Sequence, residues 1–151
     1  MRARLLRLRP PRVAGFLLIV AALLYGLIPP LRQHWWNLPG AAALCFATGC
    51  GIMLWAWTLF RRRSNPICPT ATAVTLIRSG PYRLSRNPMY LGMLLMLLAC
   101  FVWLGSPVFL APPLLFFLIQ QRVFIPFEEE QLQYLFPEEF TTYLRHSRRW
   151  L

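Results

Sequence analysis

The residues able to do chemistry in this chain fall in two short stretches. The first is Gly80-Pro81-Tyr82-Arg83-Leu84-Ser85-Arg86-Asn87-Pro88-Met89-Tyr90-Leu91-Gly92, where a basic loop runs into a long apolar helix. Asn87 is a preferred N-cap type, and Pro88 suits the first helical turn, where its missing N–H removes no helical bond. Such a helix start offers unpaired backbone N–H groups and a partial positive charge, here with Arg83 and Arg86 beside it. It suits an anionic group on a ligand that meets the membrane from the water side. The same residues also read as a plain helix start with arginines anchored at lipid headgroups. The second stretch is the Glu128-Glu129 pair. Carboxylates at the end of a membrane helix are costly unless paired or hydrated. Alone, they also read as a charge cluster at the water boundary, loosely paired with Arg122 or with Arg61, Arg62 and Arg63.

These motifs carry a resemblance. Gly-Pro-Tyr-Arg at residues 80–83, then Ser-Arg-Asn-Pro-Met-Tyr-Leu-Gly at 85–92, resembles the first signature of the isoprenylcysteine carboxyl methyltransferase-like family of integral membrane methyltransferases. Phospholipid N-methyltransferases are more distant relatives of similar architecture. Glu128, Glu129, Leu132, Phe136, Tyr143, Arg149 and Trp150 fall in register with the family's second signature. Three positions depart from it: Pro137 stands for Gly, Phe140 for Tyr and Ser147 for Val. Asn87 resembles the prokaryotic branch, since eukaryotic members generally have His there. The resemblance covers roughly residues 61–151.

The resemblance implies S-adenosylmethionine as cofactor. Its carboxylate would suit the helix-start N–H groups at Asn87 and Pro88 together with Arg83 or Arg86. Its ammonium or ribose hydroxyls would suit Glu128 or Glu129. Gly92 would leave room for close approach of the ligand, while Tyr82 and Tyr90 would stack on adenine or anchor the interface. Arg86 and Glu129 are the residues expected at the catalytic centre. No general base is assigned, because the acceptor atom is open.

The elements that must position these residues follow from composition. Of 151 residues, 57% are hydrophobic and 14% charged, and the apolar residues come in runs rather than alternation. The fold expected is all-α and integral to the membrane, a single domain over 1–151. Four transmembrane helices are expected at about 13–28, 40–60, 88–104 and 108–126, the last two a helical hairpin divided by Gly105-Ser106-Pro107. Gly49 and Gly51 would permit close helix packing. Pro112 and Pro113 suggest a kink or broken turn near the start of the last helix. A loop spans 61–87 and a tail 127–151. From Pro137 a short amphipathic helix is expected, with Phe140, Tyr143 and Leu144 on one face, lying on the membrane or folded over the mouth of the bundle.

A net charge of +11 raises the question of nucleic acid. The arginines flank apolar spans instead, and no nucleic-acid-binding motif is present. Five precede the first span, six lie in the 61–87 loop and three near the C-terminus. Both termini and the long loop are therefore expected in the cytoplasm, the membrane being the cell (inner) membrane. The N-terminal span ends in Pro29-Pro30 without a small-residue cleavage pattern and reads as a retained helix. Cys45, Cys50, Cys68 and Cys100 show no CxxC spacing, and His34 and His146 have no ligand-spaced partners, so neither a disulfide framework nor a metal is expected.

A hairpin returns its two ends to one side, which would bring Arg86-Asn87 and Glu128-Glu129 together. The chain is thus expected to be a membrane methyltransferase with a lipophilic acceptor entering from the bilayer: an isoprenylcysteine-like carboxylate, another apolar carboxylate, a thiol or a lipid amine. Membrane lipids are its other partners. Its rivals are a non-catalytic membrane scaffold or lipid-binding protein retaining the fold, and a small transporter, the last weakened by the lack of ionisable residues inside the spans.

Overall fold

The computed structural model describes residues 9–62 and 75–151. Residues 63–74 of the expected 61–87 loop, Arg63 and Cys68 among them, lie outside the described residues. Helix α1 spans Pro10–Leu27 and α2 spans Pro39–Arg62. A 3-10 turn at Gly80–Arg83 leads into α3, Pro88–Leu104. After a second 3-10 turn at Pro107–Leu110, α4 (Ala111–Ile119) passes through a π-turn at Gln120–Phe124 into α5, Ile125–Leu135. Helix α6, Pro137–His146, closes the chain. Among the described residues there is no strand, only an isolated parallel bridge between Ser85 and Arg148.

Among the described residues, three helices are long and apolar enough to cross a membrane: α1, α2 and the continuous rod Pro107–Leu135. Helix α3 is apolar but has only 17 residues. The first three elements follow the expected ranges within a few residues, whereas the last does not stop at 126. At about 1.5 Å per residue the 29-residue rod reaches about 44 Å, against a hydrocarbon thickness of about 30 Å. The excess carries the acidic residues beyond the apolar layer.

The prolines act differently from the kink expected at Pro112 and Pro113. Both sit in the first turn of α4, where no helical N–H is required. The irregularity falls instead at Gln120–Phe124, directly before Pro126 in the first turn of α5. A proline ring and its missing N–H are incompatible with an uninterrupted α-helix, and the wider turn accommodates them.

Helix α2 packs on α3, α3 on α4, and α4 on α1. The α2–α3 crossing is set by two glycines. A Cβ at Gly49 would lie 2.7 Å from the Gly92 carbonyl oxygen, and one at Gly92 would lie 2.6 Å from that of Gly49. Gly51 meets nothing within 4 Å and takes no part. The core between α1, α3 and the rod is built from Val13, Tyr90, Leu97, Phe116, Phe124 and Ile125.

At the end of the bundle remote from the arginine motif, the connections are latched together. The Trp35 N–H donates to the Gly105 carbonyl at 2.9 Å, and Ser106 Oγ donates to the Leu31 carbonyl at 2.9 Å. Gly105 has φ +62°, and a Cβ there would overlap the Trp36 carbonyl oxygen. His34 is exposed and bridges the Tyr25 hydroxyl, at 2.8 Å, and the Leu104 carbonyl, at 2.6 Å.

Candidate functional site

The two sequence motifs meet at the other end. Gly80 takes a positive φ of 61°, and its lack of a Cβ lets the turn lie against Leu59 and Trp55 of α2. This seats Pro81 and Tyr82 in the protein. Tyr82 packs with Ala56 and Ile77, its ring 6.1 Å from that of Phe60. Burial holds its phenol well above the ordinary range. Tyr90 is likewise buried and donates its hydroxyl to Glu128 Oε1 at 2.5 Å. Both rings are enclosed by the protein, so neither presents the open face that stacking on adenine requires.

Arg83 and Arg86 part company. Arg83 is exposed and lines a cavity of about 360 Å³ with Leu76, Arg78, Ser79 and Gly80. Arg78 is paired with Glu139 of α6 at 3.0 Å, whereas Arg83 makes no ion pair among the described residues. Arg86 turns inward, its Nε donating to Glu129 Oε1 at 3.3 Å and its Nη1 to the Ser147 carbonyl.

Glu129 is held from a second side. Arg149 Nε donates to its Oε1 at 3.2 Å and Nη2 to its Oε2 at 2.5 Å. Glu129 is thus held by Arg86 and Arg149, while Arg63 lies outside the described residues. The tail that delivers Arg149 is aligned by main-chain bonds: Arg86 N–H to the Arg148 carbonyl at 2.8 Å, and Arg148 N–H to the Leu84 carbonyl at 3.1 Å. Asn87 occupies the N-cap position of α3, yet its side chain does not cap. Its Nδ2 donates to the Arg149 carbonyl at 3.0 Å instead. The first N–H groups of α3 therefore receive no cap from the Asn87 side chain. Gly92 serves the close approach of α2, so the space expected beside it for a ligand is taken by Gly49.

Helix α6 folds over this end rather than lying apart on a lipid surface. Phe140 and Tyr143 are 2% and 6% exposed. The Tyr143 hydroxyl donates to the Tyr82 carbonyl at 2.6 Å, and burial pushes its phenol up to about 12. Leu144, the third residue of the expected face, stays partly exposed. The three departures from the expected signature are accommodated here. Pro137 opens α6, Phe140 fills the core, and Ser147 supplies a backbone carbonyl to Arg86 while its hydroxyl bonds the Tyr143 carbonyl.

Sequence reasoning placed Arg149 and Trp150 in register with a signature but gave neither a role. Trp150 stacks beside Phe117, ring centres 5.0 Å apart, and donates Nε1 to Gln121 Oε1 at 2.8 Å. Among the described residues, no group of three His, Cys, Asp or Glu side chains is placed to hold a metal.

Among the described residues the architecture is helical, with three helices long and apolar enough to cross a membrane. The phospholipid methyltransferase family model matches residues 40–139, and the chain belongs to that family, which takes in the isoprenylcysteine carboxyl methyltransferase-like membrane enzymes. The chain is similar to an uncharacterized protein of Haemophilus influenzae, 38% identical over 63 residues that make up 42% of this chain and 100% of that protein. No solved structure matches it.

Proposed function

We propose that this chain is an S-adenosylmethionine-dependent methyltransferase whose acceptor is lipophilic and lies in the bilayer. The observation that carries the reading is the meeting of Arg86, Asn87 and the start of α3 with Glu128 and Glu129, within a chain of this family. The arginine distribution supports a reading in which this end of the bundle and both termini face the cytoplasm, with α3 as a fourth, short span.

The donor set suits the cofactor. The N-terminus of α3, which Asn87 does not cap, and Arg83, without an ion pair among the described residues, suit a carboxylate. Of the two acids, Glu128 is the better partner for an ammonium or ribose hydroxyl. Glu129 is already neutralised by Arg86 and Arg149, whereas Glu128 accepts from the neutral Tyr90 hydroxyl. Arg86 and Glu129 then act as positioning residues, fixing the loop before α3 against the first half of α5. When bound, the cofactor supplies an activated methyl group on a cationic sulfur. The chain's own task is to hold the acceptor in line and keep water out, which α6 serves by covering the site.

A second reading, a non-catalytic scaffold, draws on the same clamp, since Arg86, Arg149 and Glu129 satisfy one another without any ligand. The discriminating assay supplies methyl-labelled cofactor to protein in nanodiscs with lipid-amine, fatty-acid, prenylcysteine and thiol acceptors. Label in one lipid-extractable product is expected. Bound cofactor with no label in any acceptor would favour the scaffold.

A further inference from the structure

One polar side chain inside the bundle has no partner. Gln120 is 0% exposed, and neither its Nε2 nor its Oε1 meets a hydrogen-bonding group among the described residues. Phe116 and Phe124, one turn to either side, are also 0% exposed and belong to the cluster with Val13, Tyr90 and Leu97. The carboxamide is therefore set in the apolar interior between α1, α3 and the rod. Buried polar groups in proteins are almost always satisfied, and an unmade bond is dearer still where water is scarce. Gln120 also opens the π-turn, and such turns recur at functional sites. Pro126, two residues beyond this turn, supplies no N–H, which leaves one helical carbonyl in the same region without its usual donor.

Gln120 lies eight residues before Glu128, about 12 Å along the rod at about 1.5 Å per residue. An amphiphile with its head at the carboxylate end would pass Gln120 with its chain. Because the Nε2 donor lacks an acceptor and the Oε1 acceptor lacks a donor, the complement must supply both, as a hydroxyl or a secondary amide does and a plain alkyl chain does not. Helix α1 is the looser cover on this side, with only Pro10, Val13 and Ala21 buried.

We propose that Gln120 is a specificity residue that hydrogen-bonds a hydroxyl or amide carried in the chain region of the acceptor, below its reacting head. This rests on the lipophilic-acceptor reading and narrows it to amphiphiles with a second polar group.

The test uses the full chain in detergent micelles and two matched probe pairs: 10-hydroxystearate with stearate, and lysophosphatidylethanolamine with its 2-deoxy analogue. Affinities come from ligand-induced thermal shift, and turnover from labelled cofactor. Wild type should bind the hydroxylated member of at least one pair about fivefold more tightly, the factor a single net hydrogen bond supplies. Gln120→Leu should fold, gain thermal stability without ligand, and bind both members equally. Gln120→Asn should retain part of the preference. Equal binding of both members of each pair by wild type, or an unchanged preference in Gln120→Leu, would overturn the proposal and leave water as the partner of the carboxamide. A preference in binding with no methyl transfer would keep this inference and remove the methyltransferase reading, so the two fail separately.

Discussion

Arg149 grips both carboxylate oxygens of Glu129, at 3.2 and 2.5 Å, and in doing so ties the C-terminal tail to the first half of α5. The same carboxylate takes Arg86 from the loop before α3. One acid thus joins three separate segments of the chain. The side chains of Glu129 and Arg86 are 18% and 13% exposed, so the network is only lightly screened.

Removing the acid should loosen the whole junction. Glu129→Ala leaves two arginines facing each other and is expected to destabilise by on the order of 2–3 kcal/mol. Arg149→Ala and Arg86→Ala should each cost less and combine non-additively, since they share one partner. Thermal unfolding in detergent reads the stability, and protease cleavage in the tail reads the release of residues 147–151.

The glycine crossing makes a sharper contrast. Gly49→Ala or Gly92→Ala puts a methyl within 2.7 Å of a facing carbonyl and should destabilise by about 1–3 kcal/mol. Gly51→Ala, two residues along the same helix with nothing within 4 Å, should be neutral or slightly stabilising. Equal effects at Gly49 and Gly51 in a melting experiment would contradict the α2–α3 contact.

Tyr143 gives an alkaline signature. Its phenol is raised in the folded state from an ordinary value of 10.0 to about 12. The neutral donor to the Tyr82 carbonyl is therefore favoured by folding. Its contribution is fully present below pH 10 and is lost as pH rises from there through about 12. Tyr143→Phe should remove about 1 kcal/mol near neutrality and flatten the fall in stability over that alkaline window. Melting temperatures of both proteins across the range measure the difference.

Topology has its own check. Cysteines placed at the exposed positions Arg145 and Asn37, at opposite ends of the bundle, should label from opposite sides of a sealed membrane. Arg145 is expected on the cytoplasmic side. Labelling of both from one side would remove the membrane-spanning arrangement.

Much of this arrangement is legible in the residues themselves. Runs of apolar side chains mark the long helices, and Asn87-Pro88 and Pro137 mark helix starts to the residue. The hairpin at Gly105-Ser106-Pro107 brings the two motifs to one end. What periodicity does not carry is which partner each charge selects. Arg86 and Arg149 reach Glu129 because a short parallel bridge at Ser85 and Arg148 sets the tail in register, and no local pattern announces a single bridge. Gly92 looks the same in sequence whether it faces a ligand or another glycine, and only the packing of α2 decides. The π-turn was hidden for a similar reason. Pro112, Pro113 and Pro126 are alike as letters, but the first two begin a helix and the last interrupts one.

The central claim, that the end of the bundle built from the two motifs holds a cofactor, is tested most directly by titrating S-adenosylmethionine and S-adenosylhomocysteine into the full chain in nanodiscs by calorimetry. The account predicts micromolar binding of both, on the order of 7–8 kcal/mol. It also predicts at least a tenfold loss in Glu128→Gln, with melting behaviour otherwise retained. No heat from either ligand at millimolar concentration, or undiminished binding in Glu128→Gln, would contradict it.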